Sequence, residues 1–123
     1  MEELASILFH SQTQVHIFHL GVSGPGAYAA HKALQEYYES IDGIVDSLVE
    51  SYQGKYGLIQ FKPVVGVDND ASCENIIKYF DKLIAIVSTI RKAPGLQDSF
   101  IQNQIDNVED LLFSTRYKLV YLQ

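Results

Sequence analysis

AYAAHKALQEYYESIDGIVDSLVESY, residues 27–52, is the stretch that decides the fold. Ala27, Ala30, Leu34, Tyr38, Ile41, Val45, Leu48 and Tyr52 recur in steps of three and four. A helix turns once in about 3.6 residues, so these side chains form one apolar stripe along a long amphipathic helix. A strand would need alternation by two, and the segment does not alternate.

The same period runs on both sides of it. Upstream come Leu4, Leu8, Ser11, Val15, Phe18 and Val22. Downstream come Ile76, Phe80, Leu83, Val87 and Ile90, then Ile101, Ile105, Val108, Leu112, Thr115, Leu119 and Leu122. Four stripes predict four helices over about residues 2–22, 25–53, 71–92 and 97–121, each burying one face against the others. Gly21, Gly24, Pro25 and Gly26 separate the first two, with Pro25 suited to a first helical turn. Asp70 or Ser72 is placed to cap the third, and Asp98 or Ser99 the fourth. Lys92-Ala93-Pro94-Gly95 ends the third with positive charge and then breakers. Between helices two and three, Gly54 to Asn69 is too long for a hairpin turn. Its Leu58-Ile59-Gln60-Phe61 and Val64-Val65 are apolar enough for a short packed strand or turn. It reads best as a long crossover joining two helical hairpins, the arrangement of ferritin-like four-helix bundles. The expectation is a single all-α domain over residues 1–123.

Composition narrows the function classes. Hydrophobic residues make up 47% of the 123, enough for a core that folds alone. Lys+Arg 9 against Asp+Glu 15 gives a net charge of −6, which repels phosphate backbones and argues against duplex DNA binding. No stretch approaches the roughly 20 apolar residues of a membrane span. Met1-Glu2-Glu3 is acidic where a secretory leader is basic. With Cys73 the single cysteine no intrachain disulfide forms, and a cytoplasmic location is expected.

The chemistry-bearing residues gather in the first two helices. His19 flanks the apolar stripe of its helix, whereas His10 and His16 fall on the side read as solvent-facing. On the second helix His31, Gln35, Asp42 and Asp46 share one strip, bordered by Glu39 and Glu50. At about 1.5 Å per residue, His31 and Asp46 lie roughly 22 Å apart on one rod and cannot share a metal within one chain. Two such helices crossing antiparallel near Glu39 to Ile41 would bring His31 and Gln35 of one copy to Asp46 and Glu50 of the other. Imidazole with carboxylate suits iron, zinc or manganese. Bland readings stand beside this one. His19 can cap a helix end, and Asp46 with Glu50 can be a solvated face. Asp106, Glu109 and Asp110 read as surface. Tyr37, Tyr52, Tyr117 and Tyr121 read as core-edge or interface residues with wet hydroxyls, and Cys73 as structural. No Ser-His-Asp signature and no P-loop occurs, and Gly21 to Gly26 lacks the strand-to-helix setting of a dinucleotide loop.

His19-Leu20-Gly21-Val22-Ser23-Gly24-Pro25-Gly26-Ala27-Tyr28-Ala29-Ala30-His31, followed by Asp46-Ser47-Leu48-Val49-Glu50, resembles the Dps family of mini-ferritins, most of all the short Dps-like proteins of tailed phages. The resemblance implies a homodimer or higher homo-oligomer with an intersubunit iron site. His19 and His31 would come from one subunit, Asp46 and Glu50 from its partner, and ferrous ion would give electrons to oxygen or peroxide as a weak ferroxidase. Gln35 stands where that family places an acidic ligand, Leu20 where it places an aromatic. The resemblance does not extend to that family's lysine-bearing N-terminal tail, so no such tail is expected, and the crossover is short for an extra interface helix. The other expectation is a ferritin-fold remnant that meets an unidentified protein partner as a non-catalytic interaction or assembly module.

Overall fold

The computed structural model describes all 123 residues. Four helices form: α1 (Glu2–Gly21), α2 (Ala27–Tyr56), α3 (Cys73–Ile90) and α4 (Ser99–Tyr121), with a single 3₁₀ turn at Pro94–Leu96 and no strand. The stripes read from the sequence become the core. Leu4, Leu8, Val15 and Phe18 of α1, Leu34, Ile41, Val45 and Leu48 of α2, Ile76, Phe80 and Val87 of α3, and Ile101, Ile105, Val108 and Leu112 of α4 are essentially sealed from solvent. Each large apolar side chain so buried contributes roughly 1.5–3 kcal/mol of transfer free energy. No helix is long and apolar enough to cross a membrane.

The helices pack around a square. α1 lies on α2, α2 on α4, α4 on α3, and α3 touches α1. The ends fix the directions. Lys55 Nζ at the end of α2 bonds Asp98 Oδ1 at the start of α4 at 2.6 Å, and the Tyr56 hydroxyl donates to the same carboxylate. At the other end Gln123 reaches Cys73, the first residue of α3. α1 therefore runs up, α2 and α3 down, and α4 up, with a long crossover between helices two and three: an all-α four-helix bundle.

The crossover stays extended because α1 holds it. Glu2, Ser6, His10 and Gln14 recur every four residues on one side of α1. Glu2 Oε1 accepts weakly from the Gln60 N–H at 3.4 Å, and Ser6 Oγ accepts from the Lys62 N–H at 2.8 Å. The His10 Nε2–H donates to the Gly66 carbonyl at 2.8 Å. Gln14, only 2% exposed, grips both sides of Asp68, accepting from its N–H at 2.7 Å and donating to its carbonyl at 2.8 Å. Four helical residues rise about 6 Å and two extended residues about 6.6 Å, so Gln60 and Lys62 meet successive turns, as do Gly66 and Asp68, while the four-residue step from Lys62 to Gly66 spans one turn and departs from that match. Phe61 and Phe9 pack in a T-shaped pair, with centroids 5.7 Å apart.

Four local expectations change. His10 is half-buried rather than solvent-facing, because the crossover lies over it. Tyr37 is fully buried, its hydroxyl 2.7 Å from Ser11 Oγ, which donates on to the Leu8 carbonyl at 2.6 Å. Tyr38 is the half-buried neighbour, since α2 faces both α1 and α4 and its apolar stripe is wider than one row. Pro25 sits in the turn before α2 rather than in its first helical turn. Of the caps, Ser72 Oγ accepts from the Asn75 N–H, while the Asp98 carboxylate turns to Lys55 and Tyr56 instead of its own helix.

Candidate metal centre

The α1–α2 hairpin builds the site. Gly24 and Gly26 adopt positive φ, 85° and 80°, which lets five residues reverse the chain between Gly21 and Ala27. Gly21 is small for a different reason: a Cβ there would meet the Cβ of Ala71 at 2.8 Å, where the crossover closes on the end of α1. His19 lies two residues before the end of α1 and His31 four residues after the start of α2. The hairpin therefore sets the two imidazoles against each other.

Their contacts are reciprocal. His19 Nδ1 lies 2.8 Å from the His31 carbonyl oxygen, and His31 Nδ1 lies 3.0 Å from the His19 carbonyl oxygen. A carbonyl only accepts, so each Nδ1 carries the hydrogen, and each Nε2 of the neutral ring keeps its lone pair. No protein group bonds either Nε2. His19 is 6% exposed, yet no sealed side-chain nitrogen or oxygen in the chain lacks a partner, so its Nε2 opens to the surface. Metal-ligating histidines commonly tie one ring nitrogen to a backbone carbonyl or carboxylate in this way.

The rings stack, with centroids 3.6 Å apart and planes 22° from parallel. With metal–nitrogen bonds of about 2.0–2.1 Å, two imidazoles on one tetrahedral ion hold their centroids roughly 5 Å apart. The stacked pair therefore offers two neighbouring single-nitrogen positions, not one chelate.

Gln35, one turn beyond His31, is half-buried and donates its amide to Glu39 Oε1 at 2.9 Å. Asp42, Asp46 and Glu50 continue the strip and are exposed. No three His, Cys, Asp or Glu side chains converge on one point within the chain. The structure thus brings His19 and His31 together, keeps Gln35 beside His31 on its helix, and leaves Asp46 and Glu50 far along α2.

Two further residues border the pair. His16 is exposed, and its ring stacks on Tyr38 at 4.1 Å and 10°. Tyr38 sets its edge to His19 at 5.2 Å and 70°, and His16 lies 5.9 Å from His19. Their sequence signal is the i, i+3 spacing of His16 and His19, which puts both on one side of α1. Asp106 and Glu109 of α4 are taken by Arg91.

Fold and geometry together define a helical-bundle protein with a pair of stacked imidazoles at a hairpin end. The chain belongs to a family of unknown function (DUF5856), whose model matches residues 25–119. That span contains His31, Gln35, Asp46 and Glu50 and begins after α1. No curated protein and no solved structure matches the chain.

Proposed function

We propose that this protein binds a divalent transition metal, iron foremost, at a site completed by a second copy of the chain. His19 and His31 each offer one nitrogen, to neighbouring metal positions and not to one shared ion, and Asp46 and Glu50 of the other copy form the oxygen half. The observation that carries this reading is the reciprocal Nδ1–H···O=C pair, which fixes both tautomers and leaves two lone pairs on Nε2. The donor set fits a borderline ion such as ferrous iron, with zinc and manganese as alternatives. Bound iron would supply one-electron chemistry toward oxygen or peroxide. The chain's own groups hold neutral imidazoles in place and shield His19 from bulk water. Gln35 supplies an amide where a carboxylate would add charge, so its half of the site holds metal more weakly.

Anaerobic calorimetric titration with Fe²⁺, alongside light scattering, tests this. The native protein should run as a dimer or larger and bind iron. His31→Asn and the Asp46→Ala/Glu50→Ala pair should each abolish binding, and Gln35→Glu should strengthen it. Binding that survives both sets of changes, or a monomeric mass, removes the intersubunit site. The interaction-module reading then stands, favoured by the engagement of Gln35 with Glu39 on its own helix.

A further inference from the structure

His16 is an exposed imidazole with no hydrogen bond, its ring stacked on Tyr38. Its neighbour His19 has Nδ1 committed to the His31 carbonyl and so presents Nε2 alone. The two residues are three apart on one helix and share a side of it. Their centroids are 5.9 Å apart. With metal–nitrogen bonds of about 2.0–2.1 Å, two imidazoles on one ion hold their centroids roughly 5–6.5 Å apart between tetrahedral and linear angles. His16 with His19 falls inside that window, and His19 with His31 at 3.6 Å falls outside it.

We propose that His16 and His19 chelate a divalent transition-metal ion on a single chain. The ligand set differs from that of the intersubunit site and needs no second copy. Because no carboxylate converges on it, water fills the remaining positions. Two imidazoles and water suit the nitrogen-preferring ions, Cu²⁺, Ni²⁺ and Zn²⁺, over Mg²⁺ or Ca²⁺. The site draws on the same His19 Nε2 as the intersubunit reading, so an ion held here occupies the outer side of the hairpin end. His16 can turn to meet it without opening the core, since its ring is exposed and no hydrogen bond holds it.

Calorimetric titration of the full chain with Ni²⁺ tests the proposal, comparing the native protein with His16→Ala and with the Asp46→Ala/Glu50→Ala pair. His16 is at the surface, so its truncation leaves no cavity, and circular dichroism confirms the fold of each variant. His16→Ala should weaken Ni²⁺ binding about tenfold or more, the loss of one arm of a two-armed chelate. Ni²⁺ should also broaden the ring resonances of Tyr38 in the native protein and not in His16→Ala. Native-like affinity in His16→Ala, or no Ni²⁺ binding by the native protein, overturns the proposal. A loss confined to the Asp46/Glu50 pair overturns it too, while leaving the intersubunit reading in place. A loss confined to His16→Ala upholds it whatever becomes of that reading.

Discussion

Replacing His31 separates what the hairpin gains from its imidazoles in stability from what it gains in chemistry. The last backbone bond of α1 runs from the Val22 N–H to the Phe18 carbonyl, so the His19 carbonyl relies on His31 Nδ1. A carbonyl in a final helical turn has no partner within its helix. One such hydrogen bond contributes about 0.5–1.5 kcal/mol. The stack at 3.6 Å contributes a similar amount, about 0.5–1.5 kcal/mol on the scale of aromatic pairs. His31→Asn places an amide nitrogen where Nδ1 stood. It keeps the bond and loses the stack. His31→Val loses both, and valine and asparagine have similar helix propensity, so the comparison is free of the advantage that alanine would bring. The expected order is native, then His31→Asn, then His31→Val, each step about 0.5–1.5 kcal/mol. For a chain of this length each kcal/mol moves Tm by about 3–5 °C. Urea unfolding and a thermal scan of metal-free protein measure the series. Imidazole nitrogen NMR should show both rings as the Nδ1–H tautomer at neutral pH. Equal stability of His31→Asn and His31→Val, or an Nε2–H signal for His19, would refute the reasoning and with it the proposed ligand pair.

Two other expectations rest on groups away from that site. Ser11→Ala leaves the buried Tyr37 hydroxyl without a partner and should cost about 1–3 kcal/mol, whereas Tyr37→Phe leaves Ser11 its Leu8 carbonyl and should cost less; a double-mutant cycle by urea unfolding should show Ser11→Ala nearly harmless once Tyr37 is phenylalanine. The Lys55 ammonium, with the Tyr56 hydroxyl, holds the Asp98 carboxyl below the usual carboxylate range. A depressed carboxyl stabilises the fold above its unfolded pKa and loses that contribution as pH falls through the folded one, so the loss lies below about pH 4. Thermal scans from pH 6 to 2 should give Asp98→Asn a shallower acid decline than the native protein, and parallel curves would remove the Asp98 contribution.

The bundle was legible because its code is periodic. Apolar residues such as Ile101, Ile105, Val108 and Leu112 bury one face whatever the helix packs against. Tyr37 was misplaced because a helix with two neighbours buries a broad face, and a single row of positions cannot show its width. The grip of Glu2, Ser6, His10 and Gln14 on the crossover left no readable trace. Their partners are peptide groups of Gln60, Lys62, Gly66 and Asp68, which every residue carries, so no side-chain type in the crossover announces the match. The reverse holds at the hairpin end. His19 and His31 were legible as a pair through spacing, yet spacing says nothing of tautomer. Only the backbone carbonyl opposite each ring decides which nitrogen is free.

Rigidity is what makes the proposed site need a second copy. α2 is a single helix of 30 residues, seated in the core by Leu34, Ile41, Val45 and Leu48. Bending it to bring Asp46 to His31 would break backbone hydrogen bonds and unseat those side chains, several kcal/mol of burial at about 1.5–3 kcal/mol each. No single carboxylate–metal bond inside one chain offsets that loss. Asp42, Asp46 and Glu50 are exposed, with no cation of their own chain bonded to them, so in the proposed site they would ligate toward a second copy. An antiparallel second α2 meets the requirement without bending, since it sets the histidine end of one rod against the acidic end of the other.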